Sequence, residues 1–89
     1  MKMKAGFVMR EVAGQYVVIA IGEASKTFHG MIKLNSTGKD IWEAVQDGLT
    51  EEQIVGRLQD KYQVELEQVE QDVREFLDSI RKVGILADE

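Results

Sequence analysis

Apolar positions along the chain change their period once, at Asn35. Before it, Phe7 to Ala13 and Tyr16 to Ile21 are β-rich runs, and the Gly14–Gln15 pair between them predicts a tight hairpin. The run YVVIAI is apolar on both faces of a pleat, which predicts a central strand covered by helices on one side and partly shielded on the other. Phe7 to Val12 carries Arg10 and Glu11 and suits an edge. GEASK then connects to a third strand over Thr27 to Leu34. Alternation puts Gly30, Ile32 and Leu34 on one face of it and His29, Met31 and Lys33 on the other. The result is a meander whose outer strands each leave backbone donors and acceptors unpaired.

After Asn35 the spacing becomes three and four. Asn35 is the expected N-cap of a first helix over 36–47, with Ile41, Trp42 and Val45 on its buried stripe, Trp42 as core anchor, and Gly48 as its left-handed stop. Thr50 and Gln53 form a capping box, and Leu49 and Ile54 a hydrophobic staple, so the second helix starts at Glu51. Its buried stripe is Ile54, Val55, Leu58 and Tyr62, with Gly56 a weak point. A third helix over 67–83 shows the wide apolar face Val69, Val73, Phe76, Leu77, Ile80 and Val83. Gly84 ends it, and Ile85 folds back on Ile80 as in a Schellman cap. The predicted fold is α+β and winged-helix-like, a three-stranded antiparallel β-meander followed by three α-helices in one domain over residues 1–89.

Composition narrows the function more by exclusion than by suggestion. With no cysteine, disulfides, thiolate metal sites and cysteine nucleophiles are out of reach, and a reducing cytoplasm is the expected compartment. No apolar run approaches the roughly 20 residues of a membrane helix, and MKMKAGFVM lacks the long apolar centre of a signal peptide. A formal charge of −5 gives no general attraction to nucleic acid or to an anionic membrane. His29 is the only histidine and has no partnered nucleophile in sight, so no catalytic residue is expected. Glu67, Glu70, Asp72, Glu75 and Asp78 read as a solvated helix face rather than a metal site. Gly22, Gly30 and Gly38 match no phosphate-cradling loop, and no cofactor is expected.

Two readings of the architecture remain. A winged helix-turn-helix regulator of DNA or of another protein is one. Against DNA, the third helix carries five acids and three bases, Arg74, Arg81 and Lys82. The other is a peptide-binding module in which an extended segment adds a strand to the open sheet edge.

The order and spacing of three segments carry a family resemblance, and what that resemblance implies is the second reading. LN-x-TG-xx-IW-xxxx-DG at Leu34 to Gly48, I-V-xx-L-xxx-Y at Ile54 to Tyr62, and DV-xx-FL-xx-I-xxx-G-I-L at Asp72 to Leu86 together resemble the family of the pyrroloquinoline-quinone biosynthesis protein D, PqqD. The resemblance runs from about Gly14 to Leu86 and implies the broad family rather than quinone synthesis in particular. It implies a non-catalytic peptide chaperone, a recognition element of pathways for ribosomally made, post-translationally modified peptides (RiPPs). Such a domain binds the leader segment of a precursor peptide and presents it to a modifying enzyme, often a radical S-adenosylmethionine enzyme. In that family the leader lies along the third strand beside the last helix. Carried onto this chain, the resemblance implies a peptide-binding site of Thr27, Phe28, His29, Gly30, Met31, Ile32 and Lys33 on the strand, and Val73, Phe76, Leu77 and Ile80 on the helix. Arg74 and Arg81 would meet acidic leader side chains, and neither nucleic acid nor membrane is an expected partner.

Overall fold

A computed structural model describes residues 2–87. Its main sheet is antiparallel in the order β2 (Phe7–Val12), β3 (Gln15–Ala20), β4 (Met31–Leu34), and three helices follow, α1 (Ser36–Gln46), α2 (Glu51–Tyr62) and α3 (Leu66–Lys82). A second, two-stranded ladder pairs β1 (Lys2–Met3) with β5 (Leu86–Ala87) and ties the two ends of the described chain together. Lys4 N–H extends it by donating to the Ile85 carbonyl at 2.7 Å. Nothing in the local pattern announces this pairing, because each strand is two residues long and its partner lies at the far end of the sequence.

The meander differs from the sequence expectation in two places that bear on function. The hairpin turns on Ala13–Gly14, not on Gly14–Gln15, and both turn residues are left-handed, with φ of 53° and 79°. That is the primed-turn geometry whose twist matches the flanking strands, and alanine tolerates it here at a steric cost. The third strand is also shorter than predicted. Residues Gly22–Lys26 form a 3₁₀ turn, and the Thr27 and Phe28 N–H groups both donate to the Ala24 carbonyl, at 3.3 and 3.0 Å. Thr27 to Gly30 therefore belong to a connection, and the strand begins only at Met31.

The helices follow their capping chemistry. Asn35 Oδ1 accepts from Gly38 N–H at 2.7 Å, which satisfies one of the donors a helix start leaves unpaired. At α2 the capping box is complete: Gln53 N–H donates to Thr50 Oγ1 at 3.2 Å and Thr50 N–H donates to Gln53 Oε1 at 2.9 Å. At the end of α3, Gly84 takes φ 85° and Ile85 N–H donates to the Ile80 carbonyl at 2.9 Å, which seats the fully buried Ile85 against the core.

Trp42 is fully buried at the centre of that core, among Val18, Leu34, Ile41, Ile54, Leu58, Val73, Leu77 and Ile80. Its Nε1–H finds no acceptor among the described residues, so the ring stands there for volume and not for a hydrogen bond. Two residues expected on buried stripes are exposed instead. Val83 lies past the last turn of α3, and Tyr62 ends α2 with its ring at the surface. The Tyr62 hydroxyl donates to Asp40, a largely buried carboxylate on α1 that Lys61 also reaches at 3.0 Å. Burial would raise the Asp40 pKa, but the Tyr62 and Lys61 hydrogen bonds and the Lys61 and Lys39 charges outweigh it, and the net shift is downward. This cluster pins α2 to α1.

Candidate functional site

Which backbone groups of β4 are free follows from the hairpin turn. A two-residue turn makes its flanking residues, Val12 and Gln15, a hydrogen-bonded pair. Pairs alternate along the ladder, so Gln15, Val17 and Ile19 spend their backbone groups on β2, and Tyr16 and Val18 turn theirs toward β4. In the observed register Tyr16 faces Leu34 and Val18 faces Ile32. Ile32 and Leu34 are thus bonded inward, and the N–H and C=O groups of Met31 and Lys33 point out of the open edge.

Beside this edge runs a groove. One part, of about 670 Å³, is lined by Gly14, Gln15, Tyr16, Lys33, Leu34, Asn35, Ser36 and Phe76. A second part, of about 330 Å³, continues past Asn35 and Phe76 to Thr37, Gly38, Ile41, Asp72 and Glu75. The half-buried Phe76 ring stands between the two. It sits there because Gly38 has no side chain, since a Cβ at that position would stand 3.1 Å from the ring and 3.2 Å from Asn35 Oδ1. The groove is apolar at Tyr16, Leu34 and Phe76 and anionic at Asp72 and Glu75. Lys39 lies 5.0 Å over the Tyr16 ring and braces that wall from α1.

Of the residues expected to bind peptide, Met31, Ile32, Lys33 and Phe76 meet at this edge. The others go elsewhere. Val73, Leu77 and Ile80 are at most 1% exposed and belong to the core, where they cannot touch a ligand. Arg74 leans toward Glu51 of α2, 3.9 Å away. Arg81, one heptad on, shares that stripe of α3 and donates to Asp78 at 2.9 Å. Phe28 packs edge-on against Phe7 with ring centroids 5.7 Å apart, which commits it to the interior side of the sheet. Thr27, His29 and Gly30 are exposed on the connection, outside the ladder. Sequence reasoning missed Tyr16, Asn35, Gly38, Asp72 and Glu75 as groove residues. The cap at Asn35 was the one available signal, because it fixes where strand turns to helix and hence where the groove narrows.

An antiparallel sheet whose β4 edge is open, backed by three helices of which the last walls a groove along that edge, defines a winged-helix-like α+β fold. The chain belongs to the PqqD family: the family described as "Coenzyme PQQ synthesis protein D (PqqD)" matches residues 9–86. Two solved structures share the fold. One, described as TbiB1 in complex with the TbiA(beta) leader peptide, has a TM-score of 0.78 and 24% identity, covering 99% of this chain and 100% of that one. The other, lasso peptide synthetase B1 complexed with the leader peptide, has a TM-score of 0.78 and 17% identity, covering 98% and 96%. No curated protein matches the chain in sequence.

Proposed function

We propose that this chain is a peptide-binding adaptor that holds the leader segment of a ribosomally made precursor peptide as an added strand on β4 and presents it to a modifying enzyme. The observation that carries this reading is the open edge itself. Two residues, Met31 and Lys33, offer four outward backbone groups beside an apolar groove. An extended peptide satisfies them with main-chain hydrogen bonds, independent of its sequence. Selectivity then comes from alternation. Peptide residues opposite Ile32 place their side chains on the groove side, against Phe76, and those opposite Met31 and Lys33 place theirs on the outer face. Membership of the PqqD family and the two folds solved with leader peptides support the assignment. The adaptor performs no chemistry, needs no cofactor, and works in the cytoplasm, in keeping with a chain without cysteine and described helices too short or polar to cross a membrane. The enzyme it serves is a radical S-adenosylmethionine enzyme or another peptide-modifying enzyme.

Titration of the isotope-labelled protein with synthetic leader peptides of precursors from such pathways tests the site. The largest backbone amide shifts are expected at Met31, Lys33 and Phe76. Saturable binding that leaves these amides unmoved places the peptide elsewhere and refutes the site.

A further inference from the structure

The outer face of the main sheet, opposite the helices, is apolar at its centre and basic at its sides. Val18 points into the core, so pleating sends its neighbours Val17 and Ile19 to the other face. The register then sets two rows across that face: Val8, Ile19 and Met31 in one, Arg10, Val17 and Lys33 in the other. Val17 is only 5% exposed although it lies outside the core cluster, which fits the aliphatic stems of its two basic cross-strand neighbours lying alongside it. Met31 is 58% exposed. Among the described residues neither Arg10 nor Lys33 makes an ion pair, in a protein whose net charge is −5.

We infer that this face is the docking surface for the enzyme that modifies the bound peptide, and that the enzyme meets it with an apolar patch flanked by carboxylates. The inference rests on the adaptor reading above. Charge selects the kind of partner. Two copies stacked through this face about a twofold axis would bring Arg10 and Lys33 of one against the same cations of the other, and like charges so placed disfavour the contact. An acidic flank satisfies both cations, while Met31 and the half-buried Val8 and Ile19 supply the burial. Position selects its role. Met31 and Lys33 provide both the open backbone edge and part of this face, so a protein seated here touches the strand that carries the peptide. Peptide side chains opposite Met31 and Lys33 emerge on the same side, which hands them to whatever is docked there.

The test uses the whole chain, a purified peptide-modifying enzyme that associates with it, and a leader peptide that it binds. Arg10→Glu and Val8→Glu alter the β2 side of this face, across the sheet from the groove-lining residues. Arg10→Glu is expected to weaken association with the enzyme by about tenfold or more, with Arg10→Lys restoring it. Peptide affinity in all three variants is expected to stay within about twofold of the parent, because none touches the β4 edge. Unchanged enzyme association in both glutamate variants overturns the inference, as does a sedimentation result in which the parent self-associates through this face and Arg10→Glu abolishes it. Failure of the parent itself to bind any such leader peptide is a separate outcome. It removes the adaptor reading and this inference with it, whereas the variant results bear on the docking face alone.

Discussion

Proline substitution at adjacent residues of β4 separates inward from outward backbone groups, because proline has no N–H to donate. Ile32 N–H is bonded to the carbonyl of Val18, a residue with no exposure, so Ile32→Pro strands a buried acceptor at a cost of about 1–3 kcal/mol. Loss of the half-buried isoleucine side chain adds about 1–2 kcal/mol. Against a total stability of roughly 5 kcal/mol for a domain of this size, the melting temperature should fall by about 10 °C or more. Lys33 N–H is directed outward and serves no internal bond, so Lys33→Pro should leave the melt within a few degrees of the parent. Its peptide affinity should drop about tenfold, since one main-chain bond is lost, a peptide carbonyl is left unpaired, and the ring blocks close approach. Lys33→Ala removes the same side chain but keeps the N–H and serves as the control. Thermal melts monitored by circular dichroism and calorimetric titration with a leader peptide that the parent binds read the two effects separately. An Ile32→Pro variant as stable as the parent would refute the edge assignment, and so would a Lys33→Pro variant that binds as tightly as Lys33→Ala.

Trp42→Ala should cost about 3–5 kcal/mol, read as a shift of the denaturant midpoint, because a fully buried ring leaves a cavity that the surrounding helices cannot close. Gly38→Ala should weaken peptide binding by displacing Phe76, while the gain in helix propensity of about 1 kcal/mol offsets the clash in a stability measurement; unchanged affinity would show that Phe76 does not line the bound peptide. Asp40 has a lowered pKa in the folded state, so its contribution is present above the unfolded pKa and is lost as pH falls through the folded one. Stability should therefore decline on acidification below about pH 4, and Tyr62→Phe, which removes a hydrogen bond to the carboxylate, should flatten that decline in chemical-denaturation series at graded pH.

Local chemistry made most of the fold legible before any coordinates. The change of period at Asn35, the capping box at Thr50 and Gln53, and Gly84 with Ile85 each act within a few residues, through one hydrogen bond or one backbone conformation, and each is realised where the sequence placed it. The helical periodicity likewise identified Trp42, Ile54 and Leu58 as core. Apolar periodicity cannot say how far a helix stripe is shared between core and ligand, which is why Val73, Leu77 and Ile80 were indistinguishable from Phe76 until the packing withdrew three of them. Nor could the β1–β5 ladder be read, since its pairing energy depends on a contact between the two ends of the chain. Tertiary structure decided the edge most of all. A turn on Gly14–Gln15 would have paired Ala13 with Tyr16, and with the same β3–β4 register it would have exposed the backbone of Ile32 and Leu34 instead of Met31 and Lys33. Sequence alone placed an open strand beside the last helix; a one-residue shift in a hairpin, held by the twist and burial of the whole sheet, determines which of its hydrogen-bonding groups a ligand can reach.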